Sequence, residues 1–185
     1  MTQPTILYRK AIPADFEGIL VLQHHNLVTN LTGEDLSQGY LSIDFTREQL
    51  HKISSELGIF VAVQGKAVVG YLMAGTAEFA VGSPLLSNML KRLKDVVFDG
   101  VALSCCFFVY GPVCVEKQSR GQGILEGLFG IMKEALKAGY DVGVAFVSQG
   151  NKRSLQAHKT KLGMKVIDEF EFDGERYYTL AFRVK

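Results

Sequence analysis

Two stretches of this chain combine residue types and spacings that could do chemistry. The first is 113–125, Val-Cys-Val-Glu-Lys-Gln-Ser-Arg-Gly-Gln-Gly-Ile-Leu, an apolar strand pattern that runs through Arg120-Gly121-Gln122-Gly123 into an amphipathic helix. A helix start offers backbone N–H groups with no intrahelical partner and the positive end of the helix dipole, so an anion is bound there without dedicated side chains. Gly121 and Gly123 lack a Cβ, which lets a phosphate approach their amides. The stretch therefore predicts a pyrophosphate cradle. The second is 151–164. At about 100° per residue, Asn151, Leu155, His158 and Leu162 share one helix face, while Lys152, Arg153, Gln156, Lys159 and Lys161 point elsewhere. His158 thus faces inward, either as a group that takes part in proton transfer or as a satisfied core histidine.

Rival glycine motifs fail on spacing. The glycines at 121, 123 and 127 miss the G-x-G-x-x-G dinucleotide fingerprint by one residue, and no Gly-Lys-Ser/Thr is present for a P-loop. Cys105, Cys106 and Cys114 have neither metal-ligand spacing nor a partner pattern, and read as reduced core thiols. Twenty basic against nineteen acidic residues give a formal charge of +1, which points to neither a nucleic-acid surface nor an anionic membrane. The longest apolar run, 105–115, is interrupted by Gly111-Pro112 and falls well short of the roughly 20 residues that span a bilayer. No signal-peptide pattern opens the chain, so a cytoplasmic protein is expected. At 185 residues and 48% hydrophobic, one domain over 1–185 is expected.

The elements that must position these residues can be read in order. A strand at 6–12 precedes a helix opened by Pro13-Ala14-Asp15, with Ile19, Leu20, Leu22 and Leu27 as its buried stripe. His24 and His25 read as exposed residues at its end. A loop covers 29–38, and a second helix runs from 46 to 57, where Thr46 and Gln49 form a capping-box pattern. Strands at 59–64 and 67–78 meet at Gln64-Gly65-Lys66. Ser83-Pro84 opens a helix to Phe98 with one broad apolar side, which adds to the core, forms a homodimer face or covers a site; burial alone explains the stripe. The strand 105–115 contains Pro112, which places it at an edge, a bulge or a splay. A helix at 121–138, a strand at 142–147, a helix at 152–162 and a hairpin of strands 164–172 and 175–184 around Asp173-Gly174 complete the chain.

The run Gln118-x-x-Gly121-x-Gly123 after Val113-x-Val115 resembles the acyl-CoA signature of the GNAT superfamily of N-acyltransferases. The segment Asn151-x-x-Ser154-x-x-Ala157-His158-x-x-x-Leu162-Gly163-Met164 resembles the second block of the same superfamily, whose usual form has Tyr in place of His158 and Gly-Phe in place of Gly163-Met164. The resemblance implies an α/β fold with a mixed, mostly antiparallel sheet of about seven strands, splayed at the fourth strand and flanked by helices. It implies acetyl-CoA as cosubstrate, no metal, and pantetheine lying in the splay. It assigns cofactor binding to Val113, Cys114, Val115, Gln118, Arg120, Gly121, Gln122, Gly123, Ile124, Leu125, Asn151, Ser154 and His158. The acceptor, an amine on a small molecule or a protein, is expected to be selected by 24–45; neither nucleic acid nor membrane is implied as a partner.

Acyl transfer to an amine needs the nitrogen unprotonated. For a lysine-like pKa near 10.4 that costs about 4.6 kcal/mol at pH 7, taking about 1.36 kcal/mol for each pH unit. Glu116 and Glu78 are the candidate bases, although a solvated surface carboxylate explains either. His158 stands where the superfamily's tyrosine often protonates the departing sulfur, and an imidazolium could do the same. A backbone N–H near Val113–Val115 is expected to meet the oxyanion. Two other readings share these features: a catalytically silent CoA-binding regulatory module on the same fold, and a nucleotide-binding α/β domain.

Overall fold

A computed structural model describes residues 5–78, 83–104 and 106–185. Strand β1 (Ile6–Lys10) leads through a 3-10 turn, Pro13–Asp15, into helix α1 (Phe16–Asn26). The turn is fixed by Asp15, whose carboxylate accepts from both guanidinium arms of Arg9 at 2.6 and 2.8 Å and from the Ile12 N–H at 2.8 Å. A single helical turn, α2 (Glu34–Ser37), interrupts the expected loop, and α3 (Arg47–Ser55) follows. The capping box that starts α3 forms as the sequence suggests, with the Gln49 N–H donating to Thr46 Oγ1 and the Thr46 N–H to Gln49 Oε1.

Strands β2 (Gly58–Gln64) and β3 (Ala67–Gly75) form the expected hairpin, but β3 ends three residues before Glu78. The expected helix to Phe98 is shorter: α4 (Pro84–Arg92) gives way to a small hairpin, β4 (Val97–Phe98) and β5 (Val101–Ala102). Val97 and Phe98, expected to be helical, instead pair with Ala102 and Val101 across the Asp99-Gly100 turn, where both residues take positive φ (45° and 81°). The long strand β6 (Phe107–Val115), helix α5 (Ile124–Leu136), strand β7 (Val142–Ser148), helix α6 (Lys152–Thr160) and the hairpin β8 (Lys165–Phe172) and β9 (Glu175–Arg183) complete the order. Cys105, expected to open β6 as a core thiol, lies outside the described residues. Cys106 is exposed rather than buried, in a bend with positive φ (60°) just before the strand begins at Phe107.

The sheet runs β1-β2-β3-β6-β7-β9-β8, antiparallel at every pairing except β6 with β7. One face carries α5, whose Ile124, Leu128, Met132 and Leu136 pack on Phe60, Leu72, Phe108 and Phe182. The other face is covered in two parts. Helices α1 and α3 sit over β2 and β3 through Phe16, Ile19, Leu50 and Ile53. Helix α4 and its hairpin cover β6, β7, β8 and β9 through Met89, Leu93 and Phe98. The helix that burial alone could explain is therefore built into the core.

Strands β6 and β7 part midway. Their parallel ladder pairs Phe107, Phe108 and Val109 with Val142, Gly143 and Val144 and goes no further, although β6 continues to Val115 and β7 to Ser148. On its other side β6 stays paired to β3, and the register slips between Leu72 and Ala74 where Gly111-Pro112 supplies an extra residue. A proline cannot donate to a ladder, so a bulge beside an opening is where the strand tolerates it.

Candidate active site

Where β6 has parted from β7, its Val113–Val115 end floors a cleft of about 400 Å³ that lies between helix α6 and the start of α5. At that end Gly121 and Gly123 have φ of +81° and +79°, and a Cβ on either would meet nothing within 4 Å. Glycine is required here by backbone conformation, and the space in front of the turn is open. Gly123 caps α5 and the first helical bond is Gly127 N–H to Gly123 O at 2.9 Å, so the N–H groups of Ile124, Leu125 and Glu126 precede the ladder. The glycine turn and these amides offer unpaired donors that could take a phosphate.

Along the floor, the Glu116 N–H bonds to Val69 O on the β3 side. Alternation therefore turns the amide groups of Val113 and Val115 toward the opening. The Val115 carbonyl accepts from Arg120 Nε at 3.1 Å. An extended pantetheine-like chain could pair with the Val113 groups and the Val115 N–H as an added strand does at an exposed edge.

Arg120 itself turns inward. Its remaining arms donate to Gln38 O and to Asn26 Oδ1, both at 2.8 Å, so a residue of the glycine turn holds the segment that follows α1. Burial pulls its pKa below the usual arginine value, which marks the desolvation these bonds must offset. Asn151 likewise serves two elements at once, since its Oδ1 accepts from the Ser154 N–H at the start of α6 and its Nδ2 donates to Tyr40 O at 3.0 Å. With Lys117 to Asp35 at 2.5 Å and the Gln23 amide bonded both ways to the Phe45 backbone, segment 35–45 is strapped across the mouth of the splay. Arg120→Leu is expected to lower stability by about 1–3 kcal/mol in urea unfolding, since it strands the Gln38 and Asn26 acceptors.

Under the strap a second cavity, of about 110 Å³, continues from the splay to the opposite face of the sheet. Tyr40, Leu41, Val113, Asn151, Ser154 and His158 border both spaces. His158 thus stands at their junction, 4% exposed, with its ring edge-on to Tyr110 at 5.4 Å. Its Nδ1 lies 2.7 Å from the Ser154 carbonyl oxygen. A carbonyl can only accept, so Nδ1 carries the proton and Nε2 of the neutral ring keeps a lone pair. Burial lowers the His158 pKa below the ordinary 6.5, and the bond to Ser154 only partly opposes this.

Of the residues singled out from the sequence, Val113, Cys114, Val115, Arg120, Gly121, Gly123, Ile124, Leu125, Asn151, Ser154 and His158 border the larger cleft. Gln118 and Gln122 are exposed and do not line it, and Gln122 Nε2 donates to Gln118 O. Glu116 is not brought to either space; its carboxylate accepts from Ser119 Oγ at 3.1 Å, closing the 3-10 turn Lys117–Ser119. Glu78 is exposed in a turn past the end of β3 and lines neither space. Burial pushes the Cys114 thiol up to about 12, which leaves it a poor nucleophile. His24 and His25 are exposed, as expected. Sequence reading missed the strap contacts of Tyr40 and Gln23, and it missed Tyr110, whose buried hydroxyl has no hydrogen-bond partner among the described residues.

No family model and no curated protein matches the sequence. Solved structures do match the fold. An N-acetyltransferase from Staphylococcus aureus Mu50 shares 18% identity over 98% of this chain and 99% of its own, with a TM-score of 0.65. The yncA protein of Salmonella typhimurium, described with its cofactor acetyl-CoA, shares 16% over 97% of this chain and 94% of its own, with a TM-score of 0.63. An acetyltransferase of the GNAT family from Streptococcus pneumoniae shares 14% over 97% and 99%, again with a TM-score of 0.63. The chain has the fold of the GNAT acetyltransferases. Among the described residues no helix is long and apolar enough to cross a membrane.

Proposed function

We propose that the protein transfers an acetyl or other short acyl group from acetyl-CoA to a primary amine. The observation that carries this reading is the parting of β6 from β7 after Val109 and Val144, which joins the glycine turn of α5 to His158 in one cleft. Acetyl-CoA, when bound, supplies an acyl group activated as a thioester. The turn at Gly121 and Gly123 and the first amides of α5 would hold its phosphates, and the Val113 and Val115 backbone would align its extended arm. In the reaction a C–N bond forms, the C–S bond breaks, and one proton passes from the amine nitrogen to sulfur.

His158, not a carboxylate, is the group positioned to handle that proton. Its neutral Nε2 accepts it while Ser154 O steadies the ring through Nδ1. The imidazolium so formed is a stronger acid than a free thiol, with ordinary pKa values of about 6.5 and 8.5, so it can give the proton up to the departing sulfur. The backbone N–H groups of the splayed strand are the fixed donors for the oxyanion. The reading is tested by thermal unfolding with CoA, acetyl-CoA, ATP and NAD, and by thiol release in the presence of amines. Stabilisation by both CoA species and amine-dependent release are expected; stabilisation by ATP or NAD in their place refutes it, and stabilisation by CoA without release from any amine leaves a silent CoA-binding module.

A further inference from the structure

The two spaces that meet at His158 differ in what they ask of an occupant. The larger is bordered by charged side chains, Arg153, Lys161 and Glu126 among them, and opens on the unpaired amides at the start of α5, which suit an anion. Among the described residues, no charged side chain lines the smaller. Its walls come from Leu41, Ile43 and Phe45 of the strap, Ile53 of α3, Met73 of β3 and Leu86 of α4, with hydroxyls from Tyr40, Ser42 and Ser148. A second ammonium, guanidinium or carboxylate placed there would lose its hydration and find no counter-charge.

Size gives a further limit. At about 110 Å³ the cavity is smaller than the engineered apolar cavity of about 150 Å³ that accommodates benzene, so it suits a short branched alkyl group or a single small ring. Ser42, which is exposed, lies on its border, giving an entrance separate from the donor cleft. A longer acyl chain would enter behind the thioester and needs no such entrance; an acceptor does.

We propose, on the acetyl-transfer reading above, that this cavity receives a small apolar primary amine bearing no charge beyond its reacting nitrogen, and that Leu86 and Met73 limit its size. The closing residue comes from α4, so the segment between β3 and β6 sets acceptor choice as well as completing the core. Both roles fall to one helix, where Leu86 borders the cavity and also belongs, with Met89, to the apolar cluster over β7.

The test measures CoA release and product mass with acetyl-CoA and a panel of amines: isobutylamine, isoamylamine and benzylamine against putrescine, agmatine and β-alanine. The apolar amines are expected to be favoured in kcat/KM by about tenfold or more. Leu86→Asp, which sets a carboxylate in the wall, is expected to shift the ratio toward putrescine and agmatine by a similar factor while stabilisation by acetyl-CoA is unchanged. Leu86→Ala provides a milder second variant and is expected to raise the rate with benzylamine relative to isobutylamine. Preferred acetylation of the doubly charged amines overturns the inference and leaves acetyl transfer standing. A preference for butyryl-CoA over acetyl-CoA, with amine charge immaterial, gives the cavity to the acyl chain and also overturns it. Release from none of the amines removes the transfer reading, and the inference falls with it.

Discussion

Gly123→Glu is expected to abolish stabilisation by acetyl-CoA while leaving a folded protein. The position has φ of +79°, so any side chain costs about 1–2 kcal/mol in backbone strain, but a Cβ meets nothing within 4 Å and no packing is broken. The glutamate carboxylate then projects from the N-terminus of α5 into the space read as the phosphate site. Ligand at 100 times its dissociation constant stabilises by about 2.7 kcal/mol. For a chain of this size that corresponds to a Tm shift of about 5–11 °C, taking about 2–4 °C per kcal/mol. Gly123→Ala carries the same backbone strain without the charge, so it separates the two causes: its own Tm should fall, yet most of the ligand-induced shift should remain. A full shift in Gly123→Glu would place the donor elsewhere.

The second large effect concerns His158. His158→Phe keeps an aromatic ring against Tyr110 but removes the lone pair, and kcat is expected to fall by about 100- to 10,000-fold with acetyl-CoA stabilisation retained. The pH profile gives an independent readout. A base must be neutral to act, and burial lowers the His158 pKa, so activity should rise with pH through a limb lying below pH 6.5 and then be flat with respect to this group. His158→Tyr should lose that acid limb, since a phenol stays protonated there. Undiminished kcat in His158→Phe would return the residue to the role of a core histidine.

How much of this is legible in the sequence depends on how local the cause is. The glycine turn, the Thr46 and Asn151 caps and the two-residue hairpin turn at Asp173-Gly174 are each set by residues a few positions apart, and each appears where its pattern lies. The splay is marked by a proline inside an otherwise apolar strand, a contradiction that only a bulge beside an opening resolves. The hairpin after α4 is also local, at Asp99-Gly100, but the apolar residues before that turn match helix and strand periods equally well over so short a run. By contrast, the acceptors of Arg120 lie 82 and 94 positions away, and nothing in a glycine-flanked arginine says that it turns from the ligand side toward the strap. Glu116 is misplaced by sequence reading for the same kind of reason. A carboxylate at a strand end is available either to a ligand or to the next turn, and here Ser119 claims it.

The inward turn of Arg120 also bears on engineering this protein. On the acetyl-transfer reading, the proposed donor turn and the proposed acceptor segment 24–45 cannot be exchanged as separate cassettes, because a guanidinium from the first is held by a side-chain amide at position 26 and a carbonyl at position 38 in the second. A chimera that imports a foreign 24–45 segment must present an oxygen at both points, or it inherits a half-buried cation with no seat. Redesign of the acceptor is better begun at Leu86 and Met73, which border the cavity without touching that joint.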